Sequence, residues 1–182
     1  MLRNVIFLDR DGVINQDSPD YIKGWSEFDF ISGSVDAVRD LTRSGFTIII
    51  ITNQSAVPRK LISPQELEHV HSKMQEVIES KGGKITDIFI CPHLPSDGCT
   101  CRKPSPDLIY QAQSKYDIDL AASVMIGDSV KDIQCGFNAG CGQSILVRTG
   151  NGKDAEPILA EAGLSTDYIA NDLYDAAQWL LK

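Results

Sequence analysis

Six short apolar runs, separated by segments with helical patterning, restrict the fold of this chain more than any other feature. They are VIFLD from Val5, TIIIIT from Thr47, DIFIC from Asp87, SVMIG from Ser123, SILVR from Ser144 and the weaker YIAN from Tyr168. They are apolar and rich in β-branched residues without alternation, the pattern of strands covered on both faces. Between them lie helix signals. Ser63-Pro64-Gln65-Glu66 has the form of a capping box with proline at the first helical position, and Leu67, Val70, Met74, Val77 and Ile78 then share one helical face. Ser105-Pro106-Asp107 is expected to open a second helix in the same way, and Gly45 and Gly140 stand where helices should end. A last helix from about Asp172 would bury Leu173, Ala176, Ala177 and Leu180. Strand–helix alternation predicts an α/β fold, a Rossmann-like three-layer sandwich around a central parallel sheet. Between Gly12 and Gly33 there is only a short flap, with Tyr21, Trp25, Phe28 and Phe30, whose aromatic rings are expected to pack it. No cap domain is inserted, and residues 1–182 read as a single domain long enough to build a core.

Composition narrows the function. A formal net charge of −8 argues against nucleic-acid binding, which needs a basic surface. It leaves open a small phosphorylated substrate, for which a few local cations suffice. No stretch approaches the roughly 18 apolar residues of a membrane span, and the first residues lack a signal-peptide pattern. A cytoplasmic protein acting as a monomer, with no nucleic-acid or membrane partner, is expected. Its five cysteines are then thiols or metal ligands rather than disulfides.

In parallel sheets of this kind ligands bind beyond the carboxyl ends of the strands. Asp9, Thr52 and Asp128 fall at or just past such ends, and Cys91 ends the third apolar run. Asp9 and Asp11 alone could be a polar turn, and Asp128 alone a helix cap. Three carboxylates converging on one sheet edge, however, repel one another unless a cation sits among them, and oxygen donors suit Mg²⁺. Thr52-Asn53-Gln54-Ser55 is either an ordinary polar loop or a set of donors for phosphate oxygens. Arg102 and Lys103 are either a solvated basic pair or phosphate ligands, the guanidinium as a fork and the ammonium as a point charge. Cys91, His93, Cys99 and Cys101 offer three thiolates and an imidazole within eleven residues. That set fills the tetrahedral shell of a closed, structural Zn²⁺ site, which would pin the loop and fix Arg102 and Lys103. Cys135 and Cys141 are expected to be small buried hydrophobes. His69 and His71, on the capped helix with no companion ligand, are expected at the surface.

FLDRDG, IIIITNQS, RKP and MIGDSVKD, in that order from Phe7 to Asp132, resemble the motifs of haloacid dehalogenase superfamily phosphatases. DRDGVINQDSPDYIK, the C-x-H…C-x-C loop running into CRKP, and LVRTG narrow the resemblance to the heptose bisphosphate phosphatases of that superfamily. The cysteine loop is also similar to histidinol-phosphate phosphatase domains, the alternative within the superfamily. A zinc-stabilised phosphate-binding module without turnover is the alternative outside it. The resemblance implies a Mg²⁺-dependent phosphatase acting on the C7 phosphate of a heptose 1,7-bisphosphate, in the synthesis of precursors of nucleotide-activated heptose. It implies Asp9 as nucleophile and Asp11 as general acid, then base. It implies Mg²⁺ held by Asp9, Asp128 and the main-chain carbonyl of Asp11, and a transferred phosphoryl group stabilised by Thr52, Arg102 and Lys103. Asp17, Ser18, Pro19, Asp20, Asn53, Gln54, Ser55, Arg59 and Ser129 would line the substrate site. Two departures from the family's pattern stand out: AVPRKL follows TNQS in place of a glycine-containing turn, and Ser129 follows Asp128 in place of lysine.

Overall fold

The computed structural model describes all residues, 1–182. All six apolar runs are strands: β1 (Val5–Leu8), β2 (Thr47–Asn53), β3 (Asp87–Cys91), β4 (Ser123–Gly127), β5 (Gln143–Val147) and β6 (Tyr168–Ala170). They form one parallel sheet in the order β3-β2-β1-β4-β5-β6, with Leu8 in register with Ile50 on one side and Ile126 on the other. Between them run α1 (Ser34–Arg43), α2 (Pro64–Ser80), α3 (Asp107–Tyr116), α4 (Val130–Ala139), α5 (Gly152–Glu161) and α6 (Leu173–Leu180).

The period-two side-chain alternation of strands divides the core into two layers. Ile6, Leu8, Ile48, Ile50, Val124 and Ile126 face α1, α2 and α6 through Leu41, Val70, Met74 and Leu173. Val5, Phe7, Ile49, Ile51 and Met125 face α3 and α4 through Leu108, Ile109 and Cys135. Each central strand therefore buries both faces, which is why its sequence shows no polar alternation. Ser63 caps α2 by accepting from Glu66 N–H at 3.0 Å, with Pro64 at the first helical position. The second predicted cap differs. α3 begins at Asp107 after Pro106 and has no side-chain cap at its start. The Asp107 carboxylate instead accepts from Thr100 Oγ1 at 2.6 Å, tying the helix to the cysteine loop.

The flap between β1 and α1 is pinned by stacking of Trp25 on Phe28, with Phe30 edge-on to both. Nothing larger than this flap covers the carboxyl ends of β1 and β4. There the strand order reverses direction, the place where open α/β sheets form a crevice. No helix is long and apolar enough to cross a membrane.

Candidate active site

Asp9 is the first residue beyond β1, and its N–H donates to Ile126 O of β4 at 3.0 Å. Asp128 is the first residue beyond the neighbouring β4. Strand pairing thus places their carboxylates side by side, and that of Asp132, in the first turn of α4, joins them within 4.8 Å. Lys103 is buried beneath this cluster. Its ammonium donates to Ile51 O at 2.8 Å and forms ion pairs with Asp9 Oδ1 at 2.9 Å and Asp132 Oδ1 at 2.6 Å. One cation does not neutralise three carboxylates. Burial first, with the nearby Asp132 and Asp128 adding to it against the pull of Lys103, raises Asp9 well above the usual carboxylate range. Burial and then Asp132 push Asp128 up to about 7. Crowded, desolvated oxygen donors of this kind are relieved by a divalent cation, and a hard ion such as Mg²⁺ fits them. The fit is tight from behind, because Cβ atoms on Gly12 or Gly150 would overlap the Asp128 carboxylate.

The carboxylate that sequence reasoning places in this cluster, that of Asp11, turns elsewhere. It accepts from Arg10 Nη2 at 2.7 and 2.9 Å, Arg10 Nε at 3.1 Å, Asn15 Nδ2 at 2.9 Å and Gln54 Nε2 at 2.8 Å. Arg10 lies next to it in sequence and is buried beside it, so the pair neutralise each other. Burial alone would raise the Asp11 pKa. The Arg10 charge and the hydrogen bonds from Asn15, Arg10 and Gln54 outweigh burial and hold it below the usual range. Asp132 takes its place among the clustered acids. Asp132 Oδ2 also accepts from the N–H and hydroxyl of Ser129, at 3.1 and 2.7 Å, fastening the start of α4.

Each residue of the TNQS stretch holds a partner. Thr52, buried at the end of β2, accepts from Gln54 Nε2 at 2.9 Å, and Gln54 reaches on to Asp11. Asn53 accepts from Lys103 N–H at 3.1 Å and donates to its carbonyl at 3.4 Å. Ser55 accepts from Arg102 Nη1 at 2.8 Å, and that guanidinium also donates to His93 O at 3.2 Å. A cleft of about 540 Å³ opens over these groups and is lined by Asp9, Asp11, Asn53, Gln54, Ser55, Arg102, Asp128 and Ser129. From the flap come Asp17, Ser18, Pro19 and Tyr21; Arg59 and Lys131 bring positive charge to its wall. Despite the AVPRKL departure, Arg59 reaches this mouth and lies 5.7 Å over the Tyr21 ring. Asp20, Thr52 and Lys103 do not line the cleft: Asp20 is exposed on the flap, and the other two are buried beneath it.

Cys91, His93, Cys99 and Cys101 converge within 4.8 Å. Their sulfur–sulfur separations are 3.1, 3.6 and 3.7 Å, and His93 Nδ1 stands 3.2 and 3.6 Å from Cys101 and Cys91. Bonds of about 2.3 Å to a tetrahedral zinc imply sulfur–sulfur edges of roughly 3.8 Å, so the donor set is compatible with Zn²⁺. Burial, and then the neighbouring thiols, push the Cys91 thiol up to about 12. Cys135 is buried and donates to Ser105 O at 3.2 Å, whereas Cys141 is only half-buried.

Sequence reasoning assigns no role to Arg10, Asn15, Asp132 and Asn151, and it misplaces His71 at the surface. His71 corrects it outright: the ring is buried, with Nε2 2.9 Å from Arg10 Nη1, while His69 is exposed as expected. The buried face of α2 runs through position 71, between Met74 and Leu67, and that spacing was the available signal. Asp132 carried a signal too, four residues beyond Asp128 in MIGDSVKD. Asn151 had none. Its N–H and Nδ2 donate to Asp128 Oδ2 at 2.7 and 3.1 Å, and Nδ2 reaches the flap at Asp17 Oδ2, 3.2 Å away.

Comparison with known proteins places these features. A family model described as HAD-hydrolase-like matches residues 100–176. The chain is 41% identical to the D-glycero-β-D-manno-heptose-1,7-bisphosphate 7-phosphatase of Bordetella bronchiseptica, across 98% of both chains. It is 36% identical to the enzyme of that name from Escherichia coli K12, across 97% of this chain and 93% of the other. The crystal structure of the B. bronchiseptica D,D-heptose 1,7-bisphosphate phosphatase, complexed with magnesium and phosphate, superposes with a TM-score of 0.91 over 98% of each chain. The Burkholderia thailandensis D,D-heptose 1,7-bisphosphate phosphatase, 31% identical, superposes with a TM-score of 0.74 over 99% of each. With likeness of this degree running through both sequence and fold, the chain belongs to the D-glycero-D-manno-heptose 1,7-bisphosphate phosphatase family of the haloacid dehalogenase-like hydrolases.

Proposed function

We propose that this protein hydrolyses the C7 phosphate of D-glycero-β-D-manno-heptose 1,7-bisphosphate through an aspartyl-phosphate on Asp9. The observation that carries the reading is the meeting of Asp9, Asp128 and Lys103 under one cleft that Asp11 and Arg102 also line. The carboxylates of Asp9 and Asp128 and the main-chain carbonyl of Asp11 would hold Mg²⁺, which would supply the charge neutralisation that lets a carboxylate approach an anionic phosphate.

The chain's own residues do the rest. Lys103 aims Asp9 and pulls its pKa down against burial, a pull that a bound divalent cation would complete, and Asp132 and Ile51 O keep Lys103 in place. Arg102, held by Ser55 and the His93 carbonyl, presents its guanidinium to the phosphoryl oxygens, and Thr52 supports the same region through Gln54. Asp9 attacks phosphorus as the bond to the sugar oxygen breaks. Asp11 gives that oxygen a proton, then takes one from the water that splits the aspartyl-phosphate and regenerates Asp9. The free structure holds Asp11 as a carboxylate. Arrival of a phosphate dianion raises its pKa by like-charge repulsion, so it takes up the proton it must deliver. Asp17, Ser18, Pro19, Asn53, Gln54, Ser55, Arg59 and Ser129 contact the sugar and its second phosphate, with Asp20 further out on the flap.

Cys91, His93, Cys99 and Cys101 would hold a structural Zn²⁺ that takes no part in the chemistry. Residues 1–182 work as one domain, as a monomer, in the cytoplasm. The histidinol-phosphate alternative is set aside because the relatives reported above are named for the heptose substrate. Asp9→Asn tests the mechanism. Turnover should fall about a thousandfold or more with the melting temperature preserved, and undiminished turnover would sink the aspartyl-phosphate.

A further inference from the structure

Arg10 is 1% exposed, the largest side chain buried so completely. A buried guanidinium must find acceptors for its donors. Nε and Nη2 find Asp11; Nη1 finds His71 Nε2 at 2.9 Å; the Phe28 ring lies 5.9 Å from the guanidinium carbon. His71 comes from α2, 61 residues away in sequence. It is the polar member of a buried helical face otherwise made of Leu67, Val70, Met74 and Ile78. An apolar residue would serve that face as packing, so the imidazole answers a need of Arg10 rather than of the helix.

We infer that His71 is a positioning residue for the reaction: it accepts a hydrogen bond from Arg10 and thereby fixes the guanidinium that orients the Asp11 carboxylate. The inference rests on the proposed role of Asp11 in proton transfer. Arginine has donors only, so Nε2 carries the lone pair and the ring is neutral with its proton on Nδ1. Burial, and then the Arg10 charge, lower the imidazole to about 3, so it remains an acceptor throughout the neutral range. Without that acceptor, Nη1 is left with a buried, unsatisfied donor, and the guanidinium turns to satisfy it. Asp11 then loses its two-pronged hold and its aim at the leaving oxygen.

Two variants and one spectrum test this. His71→Gln keeps a side-chain acceptor, and His71→Leu removes it at similar volume. With saturating Mg²⁺ and heptose 1,7-bisphosphate, His71→Leu should lower kcat about tenfold to a hundredfold, with KM within about twofold, as misorientation of a reacting group does. His71→Gln should keep kcat within about threefold of native. In an Arg10→Met background, His71→Leu should produce no further loss. Native kcat in His71→Leu, equal losses in the two variants, or a loss confined to KM would overturn the role. The spectrum needs no variant to fold. Nitrogen-15 NMR of the native protein near pH 7 should show His71 protonated on Nδ1 alone, and an Nε2–H or imidazolium form would overturn the geometry. Inactive Asp11→Asn together with native kcat in His71→Leu removes the His71 role alone. Native kcat in Asp11→Asn removes the reading of Asp11 itself.

Discussion

The carboxylate of Asp128 lies against the backbone of both Gly12 and Gly150, which have positive φ of 81° and 54°. Either glycine replaced by alanine meets two penalties, strain at a left-handed φ and overlap with that carboxylate. Gly150→Ala is expected to destabilise the protein by about 1–3 kcal/mol and to raise the Mg²⁺ concentration needed for half-maximal activity; parallel melting and Mg²⁺ titrations check both. His71 gives a pH prediction. Its pKa is about 3 in the folded protein against 6.5 for an ordinary histidine. Between those values the unfolded chain holds more protons, so stability rises with pH, is complete above about 6.5 and is lost as pH falls toward 3. The loss amounts to at most about 5 kcal/mol at about 1.4 kcal/mol per pKa unit. His71→Gln should flatten this part of the stability–pH curve, read from urea unfolding at a series of pH values; an unchanged slope would refute the assignment. Residues are also where sequence is least legible. Asp9 and Asp128 announce themselves at strand ends, but whether Arg10 points into solvent or into the protein depends on a histidine on a distant helix. No local pattern encodes that meeting.

The elements were more legible, because burial on two faces writes itself into a strand as an unbroken apolar run and burial on one face writes itself into a helix as a stripe. The miss at α3 has the same physical origin. Ser105-Pro106-Asp107 has cap chemistry, but α3 starts one residue later than the pattern implies, with Pro106 in the cap position and Asp107 turned to Thr100 in the cysteine loop, a tertiary partner that a local rule cannot see. That loop joins the candidate zinc ligands to Arg102 at the cleft. His93 O and Ser55 hold Arg102, and Cys101 directly precedes it. One zinc per chain is expected on metal analysis. Cys99→Ser should lose it, and hydrogen exchange should then accelerate through residues 92–103 while β1 and β4 stay protected. In that variant kcat should fall even though Asp9, Asp128 and Lys103 remain. A zinc-free variant with native kcat would show that the loop does not position Arg102.

At the scale of the whole molecule, the sheet order decides where everything meets. β1 and β4 are neighbours at the point where the chain reverses its direction of strand addition, so Asp9 and Asp128 face one crevice. The chain's net charge of −8 would repel a bisphosphate, so binding depends on the positive charges gathered at the cleft, Arg59, Lys131, Arg102 and buried Lys103. With no cap over the sheet, the flap and the loops at the cleft mouth must select the substrate. Which phosphate they deliver to Asp9 is therefore the question that matters most. Phosphorus-31 NMR can answer it by following D-glycero-β-D-manno-heptose 1,7-bisphosphate with enzyme and Mg²⁺. The C7 resonance should disappear into inorganic phosphate while the C1 phosphate persists, at a rate well above that for histidinol phosphate in a parallel sample. Loss of the C1 phosphate first, or faster release from histidinol phosphate, would contradict the function proposed here.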